Sequence, residues 1–246
     1  MGKLQPAKEF SFCNKVDLHA VDDNLNIQLI SSIIDEHNFR GIVVKPNDII
    51  NVRKYIKPHI SKAKVISIVD YPYGDSLTTS RVNTIHDLKK MGANEIEIVA
   101  PYSLIKNKQF LKIDRDIKSI IETTNELKIS FKYIIDNNFH VLDDGILTRL
   151  YRILFNNNIE TISDSLSYNL NIPLNYDSHS DRILNMRRLK SKCDSKIKCT
   201  LDEVDIQTLA LYPKAGSEII GLPWQIAPNI IHSYEYKKKK KTDLYN

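Results

Sequence analysis

The chain has 246 residues, 42% of them hydrophobic and 26% charged, which is ordinary for a water-soluble globular protein and enough for one large domain. The formal charge is +5, but the C-terminal stretch YEYKKKKKTDLYN sets five lysines against Glu235 and Asp243, so the body carries only +2. That excludes a broadly basic nucleic-acid-binding body, and the lack of an apolar run near 18 residues excludes a helix spanning a membrane.

Eight short strand-like runs follow one another, with helix-like patterns between them. KVDLHA (15–20) comes first, then a helix carried by Ile27, Ile30, Ile33 and Ile34. GIVVKP (41–46) is second, followed by a weak helix that Pro58 interrupts. KVISIVDYP (64–72) is third, and its helix, marked by Val82, Ile85 and Leu88, stops at Gly92. EIEIVAP (95–101) is fourth, with Ile117, Ile120 and Ile121 marking the helix after it. KISFKYII (128–135) is fifth, and a helix beginning near Asp143 or Asp144 carries Ile146, Leu147, Leu150, Ile153 and Leu154. IETISDSL (159–166) is sixth, with Ser180 expected to cap a helix holding Ile183, Leu184, Met186 and Leu189. KIKCTL (196–201) is seventh, with Asp202 expected to cap a helix through Val204, Ile206 and Leu209, and EIIGLP (218–223) is eighth.

Strict alternation of strand and helix implies parallel strands with right-handed crossovers. Eight units in this length predict an α/β fold, a (β/α)8 TIM barrel forming a single domain over 1–232, with 233–246 a basic, disordered tail. The rival is an open doubly wound sheet, whose strands would be apolar on both faces. These strands are apolar on one face only. The other face holds Asp17 and His19, Glu95 and Glu97, Lys128, Ser130 and Lys132, Thr161, Ser163 and Ser165, and Lys196, Lys198 and Thr200. If helices cover the outside, that polar face points into the barrel, with Lys132 near the top.

VISIVDYPYGDSLTT followed by LKKMGANEIEIV resembles the deoxyribose-phosphate aldolase family, in which a strand ends in a Gly-Phe-Pro-x-Gly turn and a helix leads to Gly-Ala-Asp-Glu-Ile-Asp. VDLHA, GIVVKPNDI and KIKCTLDEVD fall on the family's first, second and seventh strands, so the pattern touches 14–228. The resemblance implies class I aldolase chemistry: a lysine on strand six forms a Schiff base with a small carbonyl substrate, a second lysine on strand seven lowers its pKa, and an acid on strand four moves protons. Carried over, the seventh-strand lysine is Lys198, the strand-four acid is Glu97 and the first-strand aspartate is Asp17. Ser163 stands at the Schiff-base position, and serine cannot form an imine. Lys132, on the neighbouring strand, becomes the candidate for a relocated nucleophile. Ser163, Thr200 and Asp70 are expected to line the substrate pocket.

The family's phosphate-holding glycine turns read Leu201-Asp202 and Leu222-Pro223 here, so phosphate recognition in the family's manner is not expected; Pro223 has no N–H to give and Asp202 repels an anion. No cofactor and no metal is expected. Three cysteines without metal spacing suggest a reducing, cytoplasmic setting, with Cys199 packing toward the helices. Nucleic acid is expected to bind only weakly, through Lys237–Lys241; an oligomer is allowed. Three readings stay open: an aldolase-type lyase acting on a small carbonyl compound, a catalytically inactive aldolase-like barrel serving as a binding or structural protein, or a different enzyme class on the same barrel.

Overall fold

In a computed structural model of the chain, residues 12–21, 25–56, 61–135, 144–164, 179–192, 194–202 and 204–233 are described. The strands are β1 (Val16–Ala20), β2 (Gly41–Val44), β3 (Lys64–Val69), β4 (Glu95–Val99), β5 (Ser130–Ile134), β6 (Thr161–Ser163), β7 (Lys196–Thr200) and β8 (Ile219–Pro223). They pair in parallel in sequence order, and β8 closes on β1 through Val16–Ile220 and Leu18–Leu222, giving a closed barrel. All eight expected strands are present, and the open-sheet alternative is excluded by closure.

Between them lie α1 (Ile27–His37), α2 (Ile49–Tyr55), α3 (Thr78–Met91), α4 (Tyr102–Lys106), α5 (Phe110–Glu126), α6 (Asp144–Asn156), α7 (His179–Lys190), α8 (Ile206–Leu209) and α9 (Leu211–Ala215). Asn26 caps α1 by accepting from the Leu29 N–H at 3.1 Å, and the helix stops on Asn38 in the left-handed region. Gly92, at φ 107°, ends α3 where the sequence places the stop. The weak second helix ends at Tyr55, three residues ahead of Pro58.

Several local expectations are corrected. Asp205, not Asp202, caps α8: its extended backbone aims the carboxylate at the N–H groups of Gln207 and Thr208, at 2.7 and 2.8 Å. Val204 consequently lies ahead of that helix. α7 begins at His179, so Ser180 sits inside it rather than capping it. Lys128 precedes β5 in a left-handed turn (φ 50°) and is exposed, outside the barrel. α4 was not anticipated, because five residues are too few to show a period. Ser165 and the tail from 234 onward lie outside the described residues.

Two apolar layers result from the alternation of side chains along each strand. The outward residues, among them Leu18, Val65, Ile96, Tyr133, Ile197 and Ile220, pack against Ile34, Ile85, Ile117 and Leu150 of the helices. Cys199 faces this layer as expected, 3.3 Å from the Met186 sulfur. A second, smaller cluster of Val21, Val43, Ile66, Ile68, Val99 and Ile134 fills the barrel interior toward the C-terminal ends of the strands. No helix among the described residues is long and apolar enough to cross a membrane.

Candidate active site in the barrel interior

The inward face of β4 presents Glu95 and then Glu97, and the parallel register sets Glu97 beside Lys132 of β5 and Glu95 beside Ser130. Ser163 of β6 sits beside Lys198 of β7. On the far wall Asp17 of β1 lies between Gly41 and Gly221, two positions with no side chain to fill the space in front of it. A Cβ on Gly221 would stand 2.7 Å from His19 Nε2 and 2.9 Å from the Thr200 side chain, so this glycine is what admits both groups.

Barrel closure joins these groups into one buried network. Lys132 Nζ lies 2.9 Å from Glu97 Oε1 and 3.0 Å from Asp17 Oδ2, and also pairs with Glu95. Lys198 Nζ donates to the same Glu97 Oε1 at 2.5 Å, lies 3.3 Å from Asp17 Oδ2, and meets His19 Nε2 at 2.9 Å. Arg40 reaches in below, its guanidinium donating to Asp17 at 2.6 Å and to both Glu95 oxygens at 2.7 and 2.8 Å. Lys64, partly exposed, reaches Glu95 at 2.5 Å. Lys132, Lys198, Asp17 and Glu97 are each at most 1% exposed.

The polar face therefore points inward, as the strand pattern predicts, and Asp17, Glu97, Lys132 and Lys198 are brought together. Lys132 is not near the top: it lies at mid-strand, below Ile134 and Val99, with Glu95 beneath it. Thr200 is buried two positions beyond Lys198 on the same inward face. Asp70 stands apart. Its carboxylate accepts from the Ser76 N–H and hydroxyl at 2.9 and 2.6 Å and lies 3.5 Å from Arg81 Nε, stabilising the turn after β3. Lys196 is on the lower rim, paired to Glu160 at 2.8 Å and more than half exposed.

The electrostatics follow from this geometry. Burial alone would raise the Glu97 carboxyl, but the Lys132 and Lys198 ammonium groups outweigh it and hold the pKa down at about 2. Burial would likewise raise Asp17, and Lys132, Lys198 and Arg40 overcome it and hold it well below the usual carboxylate range. For Lys132 burial favours the neutral amine, but Asp17, Glu97 and Glu95 together push its pKa above the ordinary lysine range. His19 is driven down to about 3, first by burial and then by the Lys198 ammonium, so it is a neutral acceptor for Lys198. An imine requires a neutral amine, and Lys132 is held firmly in the charged form.

Sequence reasoning missed Arg40. It lies just outside β2, and only the barrel's curvature carries its side chain beneath Asp17 and Glu95.

No family model matches the chain. Among curated proteins it is 30% identical over 95 residues to the deoxyribose-phosphate aldolase of Thermoplasma volcanium, covering 39% of this chain and 37% of that one. It is 28% identical over 103 residues to that of Staphylococcus haemolyticus, covering 40% and 45%. The chain thus spans less than half the length of either relative. In fold it superposes on the aldolase QR15 with a TM-score of 0.75 at 20% identity, covering 96% of this chain and 99% of that one. On the tetrameric deoxyribose phosphate aldolase of Aeropyrum pernix the TM-score is 0.73 at 16% identity, covering 91% and 90%. The chain is therefore similar in sequence to deoxyribose-phosphate aldolases over about two fifths of its length, and it shares the closed eight-stranded aldolase barrel.

Proposed function

We propose that this aldolase-like barrel no longer performs Schiff-base chemistry and acts as a binding or structural protein. The observation that carries the reading is the state of the interior lysines. Lys132 is surrounded by three carboxylates that hold it in the charged form, and Lys198 is flanked by two, so both amines are engaged in one buried network. Ser163 occupies the position that the resemblance gives to the Schiff-base lysine. Beside the network stand Val43, Ile66 and Ile68, and beyond Glu97 and Lys132 on their strands come Val99 and Ile134, a poor surround for a sugar phosphate. The likeness to the tetrameric aldolase supports assembly into an oligomer, which sedimentation would test.

One observation favours the rival reading, an active class I aldolase with a relocated nucleophile. Lys132 and Lys198 share a single oxygen of Glu97, which places two amines and an acid/base carboxylate together, as such chemistry needs. Borohydride trapping with small aldehydes and ketones, read by peptide mass, separates the two. The non-catalytic reading expects no site-specific adduct. An adduct on Lys132 that disappears in Lys132→Met would establish the relocated nucleophile, and one on Lys198 alone would mean that the seventh-strand lysine took over.

A further inference from the structure

Outside the barrel, the turn after β3, the start of α4 and one face of α5 enclose a groove of about 560 Å³. Its apolar lining is Leu77, Pro101 and Leu104, and α5 contributes Lys112 and Arg115. Leu77 is 75% exposed and Leu111, beside Lys112, is 77% exposed, the two most exposed large apolar side chains among the described residues. Scattered single leucines on a surface need no explanation, but an exposed leucine lining a groove beside Pro101 and Leu104 does. In the neighbouring stretches of chain the Tyr73 and Tyr102 rings lie 6.3 Å apart, and Lys106 Nζ sits 5.7 Å over the Tyr102 ring.

The charges in the groove are unequal in a useful way. Its two acids are already engaged: Asp75 accepts from the Ser103 N–H and hydroxyl, both at 2.7 Å, and Asp116 binds the Thr78 hydroxyl at 2.7 Å and Arg81 at 2.5 Å. Lys112 and Arg115 form no ion pair among the described residues and are exposed. What remains to be matched is an apolar wall and two cations. The chain's own ends do not match it: residues 1–11 carry Lys3 and Lys8 against Glu9, and the tail is strongly basic.

We infer that this groove docks an acidic amphipathic segment of another protein, seating apolar side chains against Leu77 and Leu104 and carboxylates against Lys112 and Arg115. The apolar wall gives the segment its anchor, and the cations set its charge and orientation. The groove lies on the outside of the barrel, so the proposal stands independently of whether the interior lysines are catalytic.

The test uses the full chain and two fluorescein-labelled helical peptides of about 16 residues, both with leucines on one face, one with glutamates on the other face and its twin with lysines. Fluorescence polarisation should show the glutamate peptide binding at 50 mM salt and weakening about tenfold or more at 0.5 M. Lys112→Glu/Arg115→Glu and, separately, Leu77→Ser should each weaken it about tenfold or more, while the circular dichroism spectrum stays that of the parent. Hydrogen exchange should slow at 75–78 and 112–119 when the peptide is bound. Equal binding of the lysine twin, unchanged binding by the variants, or no binding at about 1 mM peptide would overturn the proposal. So would an oligomer that Leu77→Ser converts to monomer, since a second copy would then be the occupant.

Discussion

Replacing Lys132 with methionine removes one cation from a cluster in which Asp17, Glu95 and Glu97 face Arg40, Lys132 and Lys198. Lys132 is 1% exposed and touches all three carboxylates, so its removal strips each of them of a buried cation and leaves Arg40, Lys198 and the partly exposed Lys64 to face them. Breaking a buried ion pair from one side costs about 3–5 kcal/mol. Set against a total stability of about 5–15 kcal/mol for a folded domain, that is a large share. Urea unfolding, followed by the fluorescence of Trp224, the single tryptophan, should show the midpoint falling by about 1 M or more, given a slope of about 3 kcal/mol per molar. Two further readouts belong to the mechanism. Adding Glu97→Gln should restore part of the loss, because it removes one of the stranded charges. The loss should also shrink as the pH is lowered toward the carboxylate range, where the stranded acids can take up a proton. A Lys132→Met variant within about 1 kcal/mol of the parent at pH 7, with no coupling to Glu97→Gln, would refute the claim that this network holds the interior together.

The same network predicts an acid limit. His19 is a base whose folded pKa, about 3, lies below its unfolded value of 6.5, so its contribution is present above pH 6.5 and is lost as the pH falls toward 3, at up to about 1.4 kcal/mol per pH unit. Glu97, depressed from 4.5 to about 2, adds its own loss as the pH falls through that interval. Urea titrations across pH should therefore show stability declining below about 6.5, and His19→Gln should flatten the slope between 6.5 and 4.5 and reduce it between 4.5 and 3, where the Glu97 loss remains. Gly221→Ala places a Cβ 2.7 Å from His19 Nε2 and should cost about 1–3 kcal/mol, seen as a fall in Tm of about 2–4 °C per kcal/mol; an unchanged Tm would mean that the wall yields. Millimolar deoxyribose 5-phosphate should leave the Tm unchanged, because Leu201-Asp202 follows β7 and Leu222-Pro223 ends β8 where the family's phosphate-holding glycines would stand. A ligand at 100 times its Kd would add about 2.7 kcal/mol, so a clear upward shift would show that phosphate is held after all.

The number of strands, their order and the direction of their polar faces were legible in the sequence, because each rests on local rules. Side chains alternate along a strand, a helix-covered barrel needs its apolar face outward, and Gly92 or the Ile27–Ile34 stripe marks a helix without help from elsewhere. The identity of Asp17, Glu97, Lys132 and Lys198 as interior residues follows from the same alternation. Their partners were not legible. Lys198 meets His19 across 179 positions of sequence, and only closure of β8 on β1 makes them neighbours. Arg40 lies outside any strand and enters the network only because the closed sheet brings Asp17 and Glu95, 23 and 55 positions away, within reach of its guanidinium. Whether a buried lysine is a neutral nucleophile or a fixed cation turns on the balance between desolvation and the carboxylates within about 4 Å, and that balance is a distance, which tertiary structure alone sets.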